Sequence, residues 1–206
     1  MDIGIPVSEA DAFVAIENDV LGVVPRRTPD AHKRSVGSVA ILAGSEGMSG
    51  AALLTARASV RMGAGYATLG VSRSIEPIVS TALPEVLTRI LTDEPQLGFD
   101  ALAAFKEVIE RSDCVAVGPG LGDGSGPRDL VREVLRTVSQ PVVVDADGLN
   151  ALADGRRWWQ GMRAELVLTP HAGEFARLIG ADAPDADADE ARSEAAGAAA
   201  LRWDQV

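Results

Sequence analysis

Apolar residues along this chain occur in short β-branched runs that are separated by longer amphipathic stretches. The short runs predict strands at Ser38 to Ala43, Tyr66 to Val71, Asp113 to Val117, Pro141 to Val144 and Leu166 to Leu168. The longer stretches predict helices at Ser8 to Leu21, Ala51 to Met62, Asp100 to Glu110 and Arg128 to Thr137, and an alanine-rich helix within Ala181 to Val206. Because such alternation is typical of α/β folds, we expect one α/β domain over residues 1–206 with a mainly parallel sheet.

Composition narrows the classes of protein to which this chain can belong. Its 206 residues are 47% hydrophobic, which is enough to bury one sizeable core. The single cysteine, Cys114, excludes an internal disulfide framework and favours a reducing, cytoplasmic location. No secretory signal opens the chain and its apolar runs are too short to span a bilayer, so we expect no membrane partner. The formal net charge of −11 repels phosphate backbones and argues against a nucleic-acid partner.

Two glycine-rich turns follow predicted strands. Gly44 to Gly50 is not a Walker A loop, because no Lys-Ser or Lys-Thr follows its last glycine. It is either a tight strand-to-helix connection or a place where backbone N–H groups and a helix N-terminus meet an anion. In Gly118-Pro119-Gly120-Leu121-Gly122 the glycines occupy every second position, which fails the dinucleotide fingerprint and disfavours a Rossmann dehydrogenase. This second turn is either a simple turn or a bare backbone surface that a flat ring or a ribose can approach closely.

Polar side chains also follow predicted strands. Asp145 and Asp147 could hold Mg²⁺ or hydrogen-bond a ribose hydroxyl, although an aspartate before Gly148 is also typical of a helix N-cap. His171, one of two histidines, lies where the last clear strand leads into a helix, as a structural or a functional residue. Glu174 could complete a capping pattern or hold a metal-bound water. Loops after parallel strands share one edge of the sheet, so we expect these groups and the glycine turns to converge there.

The succession of these segments resembles the NAD(P)H-hydrate dehydratases from about His32 to Gly180. The matching segments are His32-Lys33 with Gly37, Gly44-Ser45 with Ser49-Gly50-Ala51, Gly63-Ala64-Gly65, Gly118 to Gly122, Asp145 to Asn150 and Thr169 to Phe175. The resemblance implies a ribokinase-like, three-layer αβα fold and a lyase that repairs hydrated NADH or NADPH, with ADP or ATP as co-substrate and Mg²⁺ as cofactor. In that reaction the nucleotide phosphorylates the C6 hydroxyl of the damaged nicotinamide ring, and the ring nitrogen then expels phosphate.

The resemblance also implies roles for individual residues. The positions that are similar to the family's substrate-binding residues, or that stand beside them at strand ends, are Ala51, Gly120, His171, Gly50, Gly118 and Asp145. Glu174 resembles the glutamate that helps to organise Mg²⁺ and phosphate across ribokinase-like enzymes. The sequence therefore predicts a substrate site with one metal-organising carboxylate.

One part of the family pattern is absent from the sequence. Members continue with a Lys-Gly segment that contacts the nucleotide and a Gly-x-Gly-Asp loop whose aspartate activates the attacking hydroxyl. We expect both beyond Val206, so we assign no catalytic residue and interpret the chain as truncated at its C-terminus. The local match Gly120-Leu121-Gly122-Asp123 belongs to the substrate turn, and we interpret it as accidental.

Two other functions stay open on the sequence. A ribokinase-like kinase of a vitamin precursor, such as a hydroxymethylpyrimidine or a thiazole alcohol, would transfer phosphate without loss of water. A non-catalytic binder would bind the hydrated dinucleotide but not ADP. We also expect a homo-oligomer, because a sheet that ends early exposes an unpaired strand edge and apolar surface.

Overall fold

The computed structural model describes residues 28–33, 35–155, 157–184 and 189–206. The helix predicted from Ser8 to Leu21 lies outside these residues. The chain divides into two compact units, Met1–Ala31 and His32–Val206, and the fold described here is that of the second unit. One domain over the whole chain stays a prediction.

Six parallel strands form a single sheet in the order β3-β2-β1-β4-β5-β6. The strands are β1 (Ser38–Leu42), β2 (Tyr66–Ser72), β3 (Leu87–Thr92), β4 (Cys114–Val117), β5 (Val142–Val144) and β6 (Leu166–Leu168). The helices of the described residues are α1 (Ser49–Arg61), α2 (Glu76–Ala82), α3 (Asp100–Glu110), α4 (Ser125–Thr137), α5 (Asp147–Ala153), α6 (Ala172–Ile179) and α7 (Asp189–Trp203). The expected α/β fold with a parallel sheet is confirmed. In the described part of the chain, no helix is long and apolar enough to cross a membrane.

The apolar pattern misses α2 and β3. β3 lies at the edge of the sheet, and of its six residues only Leu91 is buried. α2 has seven residues and buries only Val79. Elements that bury so few side chains leave no periodic apolar signal, so neither could be recognised from its own sequence.

The centre of the sheet, at β1, is buried on both faces, which makes the fold three-layered. Ala40 and Leu42 of β1 belong to one apolar cluster with Phe105 of α3. Ile41, between them, belongs to the other cluster with Ala52 of α1. Successive side chains of a strand point to opposite faces, so this division places helices on both sides of β1. A strand buried on both faces reads as a continuous apolar run, which explains why β1 is evident from the sequence.

One face of the β5–β6 side of the sheet is partly exposed. Val143 and Val167 are register partners on neighbouring strands, with exposed fractions of 39% and 40%. At the outer edge of β6, the backbone N–H of Leu168 donates to the carbonyl of Val206 at 2.7 Å, and the N–H of Val206 donates to the carbonyl of Leu166 at 3.0 Å. Val206 thus pairs with β6 as a neighbouring parallel strand would, so this edge is not wholly unpaired as the sequence predicted.

Candidate functional site

The two glycine-rich turns lie side by side at the carboxyl edge of the sheet. β1 and β4 are neighbours although two strands separate them in sequence, so the strand order reverses between them. Such a switch point is where open α/β sheets bind ligands. The N–H of Gly44 donates to the carbonyl of Pro119 at 2.8 Å, and the buried hydroxyl of Ser45 donates to the carbonyl of Gly120 at 2.8 Å. These bonds join the turn after β1 to the turn after β4.

Gly120 packs directly against the first turn of α1. A Cβ added at Gly120 would lie 2.8 Å from the Cβ of Ala51 and 3.1 Å from the carbonyl oxygen of Met48. Its φ of +67° also favours glycine. Gly50 is different, because it is exposed and a Cβ there would meet nothing within 4 Å. Of the predicted substrate residues, Ala51 and Gly120 are therefore in contact, while Gly50 faces open space.

Several backbone N–H groups in or beside the turn after β1 already have partners. Those of Gly44 and Glu46 donate to the carbonyls of Pro119 and Pro95, and those of Met48 and Ala51 donate to the carbonyls of Ser45 and Met48, at 2.8 to 3.2 Å. An anion at this turn would therefore find fewer available donors than the sequence pattern indicates. The bond from Gly44 to Pro119 also holds this turn beside the turn after β4.

The turn after β4 is equally close to the loop after β5. A Cβ at Gly118 would lie 1.9 Å from the carbonyl oxygen of Asp145, so only glycine fits there. The N–H of Gly122 donates to Oδ2 of Asp147 at 2.8 Å. The helix-capping role considered for Asp147 is not observed, since α5 begins at Asp147 with Ala146 as its N-cap and without a side-chain capping bond. The carboxylate of Asp147 bonds the neighbouring turn instead.

A further hydrogen bond joins the loop after β5 to the loop after β6. The hydroxyl of Thr169 donates to Oδ1 of Asp145 at 3.0 Å. Thr169 follows β6 directly and stands two residues before His171. The loops after β1, β4, β5 and β6 are thus connected in series along one edge of the sheet, as the sequence predicted.

His171 and Glu174 cap the start of α6 reciprocally. Nδ1 of His171 accepts from the N–H groups of Gly173 and Glu174, at 3.0 and 3.3 Å, while the N–H of His171 donates to Oε2 of Glu174 at 2.9 Å. Because Nδ1 accepts, the neutral ring carries its proton on Nε2, which lies 3.3 Å from Oε1 of Glu174. The His171 side chain is 68% exposed and that of Glu174 is 8% exposed. The capping interpretation of Glu174 is therefore confirmed, and the ring of His171 remains open to a ligand.

The described residues do not fit a Mg²⁺ ion by themselves. No group of three or more His, Cys, Asp or Glu side chains among them could hold a metal ion. Both carboxylate oxygens of Glu174 are turned toward His171, and its side chain is almost fully buried. The metal role of Glu174 stays a prediction from the resemblance.

Two residues of this region were given no role by the sequence, although Ser45 lies in one of the segments that carry the resemblance. Ser45 is fully buried and ties the two glycine turns together. Gln96 lies in the loop after β3, where a Cβ at Gly122 would approach its Nε2 to 2.4 Å. The one sequence signal for Gln96 is its place after β3, and the apolar pattern misses that strand.

Other features of the surface lie away from these loops. Burial raises the pKa of the Cys114 thiol, and the charge of Asp113 raises it further. Cys114 is the first residue of β4, so it lies at the amino ends of the strands, opposite the carboxyl ends that carry the glycine turns. A groove of about 620 Å³ between α3 and α4 is lined by residues that include Phe99, Lys106 and Arg136. None of the predicted substrate residues lines it.

The layers and the strand order define the chain as a doubly wound α/β protein, and its similarity to solved structures identifies the fold as ribokinase-like. A ribokinase-like superfamily protein from Enterococcus faecalis shares the fold, with a TM-score of 0.68 and 24% identity, over 79% of this chain and 55% of that one. Residues 39–205 match the family described as NAD(P)H-hydrate dehydratase, and the chain belongs to that family.

Two relatives show how much of a family member the chain represents. The bifunctional NAD(P)H-hydrate repair enzyme of Moorella thermoacetica is 42% identical over 185 residues, which cover 89% of this chain and 34% of that protein. The structure of the ADP/ATP-dependent NAD(P)H-hydrate dehydratase from Bacillus subtilis, co-crystallised with ATP/Mg²⁺, has a TM-score of 0.73 and 30% identity. That match covers 93% of this chain and 64% of the Bacillus chain. The chain thus spans about a third of the Moorella enzyme and less than two thirds of the Bacillus one.

Proposed function

We propose that this chain forms the hydrated-dinucleotide-binding part of an ADP- or ATP-dependent NAD(P)H-hydrate dehydratase. The observation that carries the proposal is the contact of Gly120 with Ala51 at the β1–β4 switch point. Bare backbone at a switch point lets a flat ring or a ribose approach closely. Membership of the dehydratase family supplies the identity of the ligand.

The other predicted substrate residues extend this surface. Oδ1 of Asp145 is held by Thr169, which orients the carboxylate so that Oδ2 can accept from a ribose hydroxyl. The exposed imidazole of His171 can contact the ligand while its Nδ1 caps α6. We assign binding and orientation to these residues, and proton transfer to none of the described ones.

The family's reaction explains why such a surface is useful. Phosphoryl transfer from the nucleotide to the C6 hydroxyl of the hydrated ring creates a leaving group, and the ring nitrogen then expels phosphate to restore the dihydronicotinamide. Transfer of this kind depends mainly on positioning and on stabilising charge. The described loops would contribute the positioning of the acceptor.

Calorimetric titration of the 206-residue chain tests the proposal. We expect hydrated NADH to bind, and Gly120→Ala to abolish that binding because the added methyl group would overlap Ala51. Failure of hydrated NADH to bind would refute the proposal. Titration with hydrated NADPH, ADP and ATP then defines the preferred dinucleotide and nucleotide.

Turnover is measured by the absorbance of the restored dihydronicotinamide, with Mg²⁺ and ADP or ATP present. We expect no turnover above the rate without protein, because we assign activation of the C6 hydroxyl to none of the described residues. Phosphorylation of a hydroxymethylpyrimidine or a thiazole alcohol, detected by mass spectrometry, would instead identify a vitamin-precursor kinase. Binding of hydrated NADH without any binding of nucleotide would identify a non-catalytic binder.

We also propose that the protein is a homo-oligomer. The partly exposed pair Val143 and Val167 supports this, because exposed apolar surface favours association. Sedimentation velocity of the purified chain at several concentrations tests it, and a monomer at every concentration would contradict it.

A further inference from the structure

A series of hydrogen bonds runs from the turn after β4, through α5, to α6. Oδ2 of Asp147 accepts from the N–H of Gly122 at 2.8 Å, and Oδ1 accepts from Nδ2 of Asn150 at a longer 3.5 Å. Oδ1 of Asn150 in turn accepts from Nε of Arg177 at 3.0 Å. Gly122 belongs to the turn that carries Gly120, and α6, which contains Arg177, begins beside His171. One aspartate is therefore placed between two of the predicted substrate loops.

The backbone before Asp147 adopts a conformation that L residues rarely populate. Ala146 has φ 50° and ψ −118°, and the N–H of Gly148 donates to the carbonyl of Asp145 at 2.9 Å across this tight turn. Non-glycine residues in such regions persist only when their surroundings hold them there. The close approach of Gly118 to Asp145 is one such constraint. The result is that the Asp147 carboxylate bonds Gly122 rather than capping its own helix.

The turn that Asp147 contacts needs an anchor. Gly118, Gly120 and Gly122 all have positive φ values, of +127°, +67° and +94°. Glycine has more backbone freedom to lose than any other residue, so ordering this turn carries a large entropy cost. Hydrogen bonds from Gly44 and Ser45 hold Pro119 and Gly120 in the middle of the turn. The bond to Asp147 holds its end.

We propose that Asp147 is a positioning residue of the dinucleotide site. Its carboxylate keeps the turn in the conformation that places Gly120 against Ala51, so that the turn is already ordered when the ligand arrives. A site that is ordered before binding loses less conformational entropy on binding. This inference rests on the proposed function, because it assumes that hydrated NADH binds at the turn.

Three variants of the full 206-residue chain test the inference. Asp147→Ala removes the acceptor, while Asp147→Asn keeps one side-chain oxygen that can accept from Gly122. Asp154→Ala is the matched control, because Asp154 lies at the other end of α5 and pairs with Arg128. For each variant, calorimetry gives the Kd for hydrated NADH, nuclear magnetic resonance gives the hydrogen exchange of the Gly122 amide, and thermal unfolding gives Tm.

We expect Asp147→Ala to raise the Kd about tenfold, as the loss of one hydrogen bond to a charged group would. The same variant should speed exchange of the Gly122 amide. Asp147→Asn should restore most of the affinity, and Asp154→Ala should leave the Kd unchanged. A helix-stabilising role alone would lower Tm in Asp147→Ala and in Asp154→Ala without separating their affinities.

Two outcomes would overturn the inference while the proposed function stands. They are an Asp147→Ala variant that binds as tightly as the original chain, and an Asp147→Asn variant that fails to recover affinity. If the original chain does not bind hydrated NADH at all, the proposed function fails instead. In that case slow Gly122 exchange that is lost in Asp147→Ala would still establish that Asp147 holds the turn, and unchanged exchange would refute that as well.

Discussion

The buried hydroxyl of Ser45 donates to the carbonyl of Gly120, 75 residues further along the chain. This bond crosses the switch point between β1 and β4 and joins the two glycine turns. A side chain with no exposed surface thus connects two loops at the edge where ligands bind in such folds.

Ser45→Ala should lower the free energy of unfolding by about 1–3 kcal/mol, because it leaves the carbonyl of Gly120 without its buried partner. Urea unfolding measures the change. Ser80→Ala serves as the control, since the hydroxyl of Ser80 is exposed and its bond to the carbonyl of Pro77 is long, at 3.4 Å. Equal effects of the two substitutions would contradict a structural role for Ser45.

Gly120→Ala should destabilise the protein by about 1–3 kcal/mol, because it combines a positive φ with overpacking against Ala51. Gly197→Ala should instead raise the free energy of unfolding. Gly197 lies inside α7, where a Cβ would meet nothing within 4 Å, so alanine should stabilise the helix by about 0.5–1 kcal/mol. Thermal and urea unfolding measure the stability of both variants. A Gly120→Ala variant as stable as the original chain would argue against the packing seen at the switch point.

The two roles of His171 can be separated by substitution. His171→Ala removes the acceptor for two N–H groups of α6 and should cost about 0.5–2 kcal/mol of stability. His171→Asn should recover most of that loss, because asparagine is a good N-cap, but it should not recover the affinity for hydrated NADH. Calorimetry and urea unfolding on the same samples measure both quantities. Full recovery of affinity by asparagine would show that His171 serves only as a cap.

Neighbouring valines of β5 should respond differently to truncation. Val144 is fully buried, so Val144→Ala should cost about 2 kcal/mol through lost burial and the cavity that remains. Val143 is 39% exposed, and Val143→Ala should cost about half as much or less. Urea unfolding measures the free energy of unfolding of both variants. A larger loss at Val143 would mean that this face of β5 is covered in solution.

Elements that bury a continuous or periodic apolar surface can be predicted from the amino-acid sequence alone. β1 is recognisable because Ala40 and Ile41 face different helical layers and are both buried. The glycine turns and polar segments after the strands were also evident, because turn residues are dictated by local backbone geometry. From these the shared ligand edge of the sheet could be predicted.

Which groups meet at that edge, and what each one does, depends on the three-dimensional fold. The sequence around Asp147 is typical of a helix N-cap. In the structure its carboxylate instead accepts from the N–H of Gly122, because the strand order brings the turn after β4 close to it. No local pattern gives Ser45 or Gln96 its role, since the groups that they contact lie in the turn after β4. Local periodicity reports whether a residue is buried, whereas a contact between distant loops depends on strand order and close packing, which no short stretch of sequence encodes.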